Sequence, residues 1–110
     1  MATPLNIFKT VTAELTTTEE SIYVAPTGYT SIVLMAQVSN ISAATAKVTV
    51  SHYFSSVTTE LLKEFSVPAN DAVSATTGKL VLEEGHSVKA LADVDGSLKM
   101  VLSILETLNG

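Results

Sequence analysis

The sequence predicts an all-β domain: an antiparallel two-sheet β-sandwich of about eight strands, jelly-roll-like or immunoglobulin-like. Turn signals recur at intervals of about 8–12 residues, as they do in sandwiches and barrels. Thr and Val are frequent, and their β-branched side chains favour extended backbone. No segment combines helix caps with an apolar period of about 3.6 residues. The 110 residues suit one domain, so we expect a single sandwich over residues 1–110.

The predicted strands lie between these turns. In chain order they are Leu5–Glu14, Ser21–Ala25, Thr30–Asn40, Ala46–Phe54, Glu60–Val67, Ala72–Thr76, Lys79–Leu82, Ser87–Ala92 and Ser97–Glu106. Residues 1–15 are interpreted as an N-terminal arm or an edge strand. Ser55–Thr59 is a predicted turn. Asp95-Gly96 is a predicted hairpin turn of the primed type, because both residues tolerate positive φ.

Alternation along two of these strands predicts which side chains share a face. In Thr30–Asn40 one face is predicted to carry Ile32, Leu34, Ala36 and Val38, and the other face Val33 and Met35. Apolar residues on both faces indicate a central strand, or one that a partner chain covers. In the last strand one continuous apolar face is predicted from Leu98, Met100, Leu102 and Ile104.

The charge balance argues against a nucleic-acid or membrane partner. The formal net charge is −5, all six basic residues are Lys, and Arg and Cys are absent. Nucleic-acid binders need a basic face to neutralise phosphates. No apolar run approaches the roughly 20 residues that span a bilayer. The lack of Cys excludes disulfides and thiolate sites, and it favours folding in a reducing cytosol.

Catalytic and metal-binding patterns are sparse, so we expect no enzyme and no cofactor. His52 is predicted to face inward on an alternating strand, and His86 is expected to be solvated in a turn. One His with a distant second falls short of a metal constellation, so a cupin-like metalloenzyme around His52 is a remote alternative. The acidic residues Glu83, Glu84, Asp93 and Asp95 could together hold Ca²⁺, but turn residues are the favoured interpretation.

Aromatic residues are few, and there is no Trp. Tyr29, beside Gly28, and Tyr53, in the pair Tyr53-Phe54, are the candidates for a sugar-binding platform. Aromatic side chains in strands usually pack into a core instead. A glycan-binding function therefore remains open through Tyr29 and Tyr53, as an alternative.

The order of strands and turns resembles that of a known group of proteins. A short strand, Pro26-Thr27-Gly28 and a long apolar strand follow one another within Ile22–Val33. Val67-Pro68-Ala69-Asn70-Asp71 and Gly78–Gly85 come next, and Leu98–Glu106 closes the pattern. Over residues 20–106 this resembles the small β-sandwich virion structural proteins of tailed bacteriophages, of the capsid decoration, cement or tail-associated type.

The resemblance implies a phage virion protein, made in the host bacterial cytoplasm. We expect a capsid decoration or cement protein that forms homo-oligomers, with a trimer favoured, and binds other virion proteins such as the major capsid protein. The alternative is a tail or fibre component that binds host-surface glycan. Candidate assembly contacts are the apolar residues of the N-terminal segment and of the third strand: Pro4, Leu5, Ile7, Phe8, Val33 and Met35.

Overall fold

The predicted fold class is confirmed: the chain forms two antiparallel β-sheets that pack face to face. The computed structural model describes residues 6–109. Within that range nine strands follow in order: β1 (Asn6–Glu14), β2 (Glu20–Val24), β3 (Tyr29–Asn40), β4 (Ala46–Phe54), β5 (Val57–Val67), β6 (Ala72–Ser74), β7 (Leu80–Leu82), β8 (Ser87–Ala92) and β9 (Leu98–Leu108).

The strand pairing is that of one long hairpin rolled up on itself. β1 pairs with β9, β2 with β8, β3 with β6 and β7, and β4 with β5, all antiparallel. Rolling adds the pairs β3–β9 and β4–β8. Sheet A therefore has the order β1-β9-β3, with β6 and β7 sharing its far edge, and sheet B has the order β2-β8-β4-β5. This is jelly-roll topology, one of the two predicted alternatives.

The core lies between the two sheets, and β9 supplies much of it. Leu98, Met100, Leu102 and Ile104 are each at most 2% exposed, which confirms the predicted apolar face. β4 contributes Val48 and Val50, both fully buried. Burying side chains of this size stabilises the fold by roughly 1.5–3 kcal/mol each, before the entropic cost of ordering them.

The face assignment predicted for Thr30–Asn40 is wrong, because β3 contains a bulge. Its pairing with β9 shifts register between Val33 and Met35, so Leu34 is an extra residue. A bulge inserts one residue without a partner and reverses which side later residues face. Val33, Ala36 and Val38 consequently point into the core, while Leu34 and Met35 are exposed.

Two predicted turns also differ from the structure. The turn at Ser55–Thr59 is shorter, because Ser55 and Ser56 both adopt positive φ (51° and 65°) and connect β4 to β5 directly. The second case is Asp95-Gly96, where only Gly96 has positive φ, at 75°. This segment is no hairpin, because β8 belongs to sheet B and β9 to sheet A. It crosses between the sheets.

Asn40 organises the crossing from β3 to β4. Its side chain is buried, and its Nδ2 donates to the carbonyl oxygens of Ala44 (2.8 Å) and Val67 (2.9 Å). Its Oδ1 accepts from both the amide and the hydroxyl of Ser42, at 2.8 and 2.7 Å. The Asn40 side chain thus provides hydrogen-bond partners both to the loop after β3 and to the end of β5. Without these partners, buried polar groups would be left unpaired, which destabilises the fold.

We expect Asn40→Ala to lower the free energy of unfolding by about 2–3 kcal/mol, because buried carbonyl groups lose their donors. Asn109→Ala is the matched control. Asn109 is exposed and accepts a single hydrogen bond, from the Thr30 hydroxyl, so its loss should cost less than about 0.5 kcal/mol. Urea denaturation followed by circular dichroism measures both. Equal losses would contradict the organising role of Asn40.

Candidate assembly surface

The outer face of sheet A carries a row of apolar side chains that crosses the whole sheet. Register places Phe8 opposite Leu105, Leu105 opposite Ile32, and Ile32 opposite Val81. Ile104 and Glu106, the neighbours of Leu105, are buried. Because strand residues alternate between faces, the row points away from the core. Phe8 is 75% exposed and Val81 55%. We call these four residues the apolar row.

The structure brings together two of the predicted assembly contacts and separates the others. Met35 pairs with Ser103 and lies beside the apolar row, 39% exposed. Phe8 and Met35 therefore share one surface. Val33 is 1% exposed in the core, so its side chain has no surface left for a neighbouring molecule. Ile7 pairs with Glu106 on the core side of β1 and is half-buried. Pro4 and Leu5 lie outside the described residues.

The same face is nearly free of charge. Among the paired residues of β1, β9 and β3 that point outward, the charged ones are Glu14 and Lys99, which lie opposite each other at one end. Most of the rest of the face is Thr, Ser, Gln and aliphatic side chains. In a chain of net charge −5, copies or acidic partners repel each other least across an uncharged face.

β1 is attached to both sheets through a buried carboxylate. Glu106 of β9 is 1% exposed. Its Oε1 lies 3.1 Å from Lys9 Nζ of β1, and its Oε2 accepts a hydrogen bond from the Tyr23 hydroxyl of β2. The Tyr23 hydroxyl also lies 2.7 Å from Ser31 Oγ. A buried carboxylate without partners would be strongly destabilising, so this cluster holds β1, β2, β3 and β9 together.

Burial is the main cause of a raised pKa at Tyr23, and the hydrogen bond to Glu106 adds to it. The phenol therefore stays protonated and keeps donating across the ordinary pH range. This cluster, in which Lys9 lies on the same face of β1 as Ile7 and Val11, was not predicted from the sequence. A lone Glu at the end of an apolar strand face was the signal that could have indicated it.

A second polar cluster lies where β4 and β8 meet. His52 Nε2 is 2.8 Å from His86 Nδ1, and Phe54 stacks on the His86 ring at 4.1 Å. The prediction that His86 is solvated is wrong, since its side chain is only 15% exposed. The register between β4 and β8 brings the two histidines together, because it pairs Tyr53, which follows His52, with Ser87, which follows His86. Desolvation, with a smaller contribution from His86, holds the pKa of His52 below its ordinary value.

This pair does not form a metal centre. Glu83 Oε2 approaches the other nitrogen of His86, Nε2, at 3.9 Å. The Glu83 carboxylate and the His52 ring therefore lie on opposite sides of the His86 ring, so the three side chains do not converge on one position for an ion. Within residues 6–109, no group of three or more His, Cys, Asp or Glu side chains could hold a metal ion. The same range contains no helix long and apolar enough to cross a membrane.

Three of the four acidic residues considered for Ca²⁺ accept hydrogen bonds from backbone amides instead. Asp93 Oδ1 accepts the amide of Lys47 at 2.8 Å, and Asp95 Oδ1 accepts the amide of Thr17 at 2.6 Å. Glu84 accepts the amide of Gly28. Glu83 and Glu84 precede β8, whereas Asp93 and Asp95 follow it. The six-residue strand separates the two pairs by about 20 Å, too far for one ion.

The two tyrosines considered for glycan binding lie in different sheets. Tyr29 begins β3 in sheet A, and Tyr53 is in β4 in sheet B. Both are half-buried. The Lys89 ammonium sits over the Tyr53 ring, 3.7 Å from its centroid, which occupies the face that a sugar would stack against. The structure therefore provides no shared platform from these two residues.

We expect Tyr23→Phe to lower the free energy of unfolding by about 2 kcal/mol, because the buried Glu106 carboxylate loses a donor. Tyr53→Phe is the control, since the ring under Lys89 is retained and only a hydroxyl on a half-exposed side chain is removed. Thermal unfolding of the two variants measures the difference. An unchanged stability for Tyr23→Phe would contradict the role given to the cluster.

The His pair predicts a pH dependence of stability. The folded pKa of His52 is lowered, so near its unfolded pKa of about 6.5 the unfolded chain binds more protons. Stability is then present above that pH and is lost as pH falls toward the folded pKa. We expect His52→Gln to flatten the stability profile between about pH 7.5 and 5 relative to the parent. Parallel profiles for parent and variant would contradict this origin.

Comparison with known proteins supports the fold. No protein-family model matches the chain, and no curated protein matches it. A structure described as Bacillus endospore appendages that form disulfide-linked pili aligns with a TM-score of 0.57 at 15% identity, covering 94% of this chain and 88% of that one. The acidic stable capsid structure of Helicobacter pylori bacteriophage KHP30 also aligns with a TM-score of 0.57, at 14% identity, over 97% and 90% of the two chains. At such identities the likeness shows a shared fold, the β-sandwich that the resemblance to phage virion proteins implies.

Proposed function

We propose that this chain is a phage virion structural protein of the capsid decoration or cement type. In this proposal it self-associates and binds the capsid surface, and its role is not catalytic. The protein is made in the cytoplasm of a host bacterium and resides in the virion. The observation that carries the proposal is the apolar row on the uncharged outer face of sheet A.

An exposed apolar row on a small domain indicates a surface that binds another protein. Contiguous apolar patches on monomeric proteins are usually small, and larger ones mark interaction sites. Phe8 at 75% and Val81 at 55% exposure lie at the two ends of the apolar row, and Met35 at 39% lies beside it. A flat sheet face suits a large protein surface better than a small ligand, which prefers a concave pocket.

The fold supports an assembly role by analogy. The two structures with a TM-score of 0.57 are described as a phage capsid and as bacterial pili, both of which are assemblies of protein subunits. Fold likeness alone does not establish function, so the proposal rests on the apolar row of sheet A. Three of the acidic residues considered for Ca²⁺, Glu84, Asp93 and Asp95, accept hydrogen bonds from backbone amides, which fits a structural role.

The proposal predicts that the chain fractionates with phage particles and that Phe8 is needed for this. Particles purified on a density gradient from cells producing the encoding phage should contain the chain, as detected by antibody or mass spectrometry. For a binding assay, purified protein is added back to particles from which the chain has been removed. We expect Phe8→Ser to weaken this binding roughly thirty-fold, since losing an apolar anchor costs about 2 kcal/mol.

Phe65→Ser is the matched control for that experiment. Phe65 is 46% exposed, but it lies on β5 in sheet B, away from the apolar row. It should leave particle binding unchanged. Both variants should remain folded, because neither side chain belongs to the buried core. A chain found only in the soluble fraction, with particles free of it, would contradict the proposal.

A further inference from the structure

The sheets of a sandwich end in edge strands, and exposed edges invite pairing with other chains. Three of the four edges here are interrupted. β5 shifts register twice against β4, and Glu64 within it has a φ of 47°. β2 has five residues and shifts register between Ser21 and Tyr23. The far edge of sheet A is divided between β6 and β7, with three residues each.

β1 is the exception among the edges of the described residues. All nine of its residues, Asn6–Glu14, pair with β9 in one continuous register. Its charged residues are Lys9 and Glu14. Lys9 is on the core side, opposite Ile104, and is held by Glu106. β1 is thus a long, regular strand without a bulge, and the inward-pointing charge that could hinder edge pairing, Lys9, is paired with Glu106 of its own chain.

We infer that β1 pairs antiparallel with β1 of a second copy of this chain, about a two-fold axis at Thr10. Two-fold pairing of identical edges is a closed arrangement that needs no other surface. It joins the two copies of sheet A into one continuous sheet. This inference deepens the proposed function, since it names the partner and the contact for self-association. It gives a dimer in place of the trimer that the resemblance implies.

Charge selects the register at Thr10 over its neighbours. Residues opposite each other in a sheet must point to the same face. One β1 can therefore slide along the other only in steps of two residues, and each step moves the two-fold axis by one residue. With Thr10 opposite the partner's Thr10, all nine residues overlap, Lys9 lies opposite Val11, and Asn6 lies opposite Glu14. Centring the pair on Lys9 sets two ammonium groups against each other, which is destabilising. Centring it on Val11 shortens the overlap and sets Phe8 against Glu14.

Area gives a second reason for the pairing. Four strands spaced by about 4.8 Å and nine residues rising about 3.4 Å each give the face of one sheet A an area of roughly 600 Å². Stable specific interfaces bury about 800 Å² on each partner. One face is therefore too small for firm attachment to a shell. Two faces joined edge to edge offer about twice that area, with the two apolar rows on the same side of the joined sheet.

The absence of Cys from the sequence makes single-cysteine crosslinking a direct test. Cβ atoms of directly opposed residues lie about 4.5–5.5 Å apart, close to the span of a disulfide. We expect full-length Thr10→Cys to form a disulfide-linked dimer within minutes under mild oxidation. Thr58→Cys, an exposed Thr on the β5 edge, is the matched control and should stay at least ten-fold less crosslinked. Equal crosslinking of the two variants would overturn the inference.

A second variant keeps the test independent of cysteine chemistry. Thr10→Lys places two ammonium groups against each other at the proposed axis, while the exposed position leaves the core untouched. Sedimentation of the purified parent should give the mass of two chains, and the variant the mass of one. A parent that is monomeric or trimeric, or a variant that remains dimeric, would overturn the pairing. A monomeric parent that still binds particles would overturn the pairing and the proposed self-association while leaving the proposed attachment to the capsid standing.

Discussion

The alternation of side chains along β9 is the constraint on which the rest of the structure depends. This strand lies between β1 and β3 and pairs with both over most of its length. Its inward residues from Leu98 to Ile104 fill the core, and its outward residues, Leu105 among them, form the middle of the outer face of sheet A. A shift of one residue would exchange the two sets. Core and surface are therefore fixed by the same register.

Glu106 marks the point where that alternation places a charge in the interior. Burying a carboxylate costs several kcal/mol, and the structure offsets the cost with Lys9 and Tyr23. Replacing only one partner leaves the charge uncompensated. The arrangement also specifies where β1 lies, because a slip along β9 would move Lys9 away from the carboxylate. A regular β1 in a defined position is what exposes Phe8 in line with Leu105 and Ile32.

Local patterns in the sequence were enough to predict the fold class, most strand positions and the buried face of β9. They also gave Phe8 and Met35 as candidate assembly contacts; both lie on the outer face of sheet A, and their role in assembly stays a prediction. Local patterns could not reveal the bulge at Leu34, because an inserted residue is set by the partner strand and leaves the apolar run unbroken. They could not bring His52 to His86, since that depends on pairing between distant strands. The turn predicted at Ser55–Thr59 was too long, because the tight two-residue turn needs positive φ at Ser55 and Ser56, which Ser rarely adopts.

We propose that this protein attaches to a virion through the outer face of sheet A. Electron cryomicroscopy of particles from the encoding phage tests it most directly. We expect density for the chain on the capsid, with the four residues of the apolar row facing a neighbouring subunit or the shell. A chain bound with this face open to solvent, or particles that contain no such density, would contradict it.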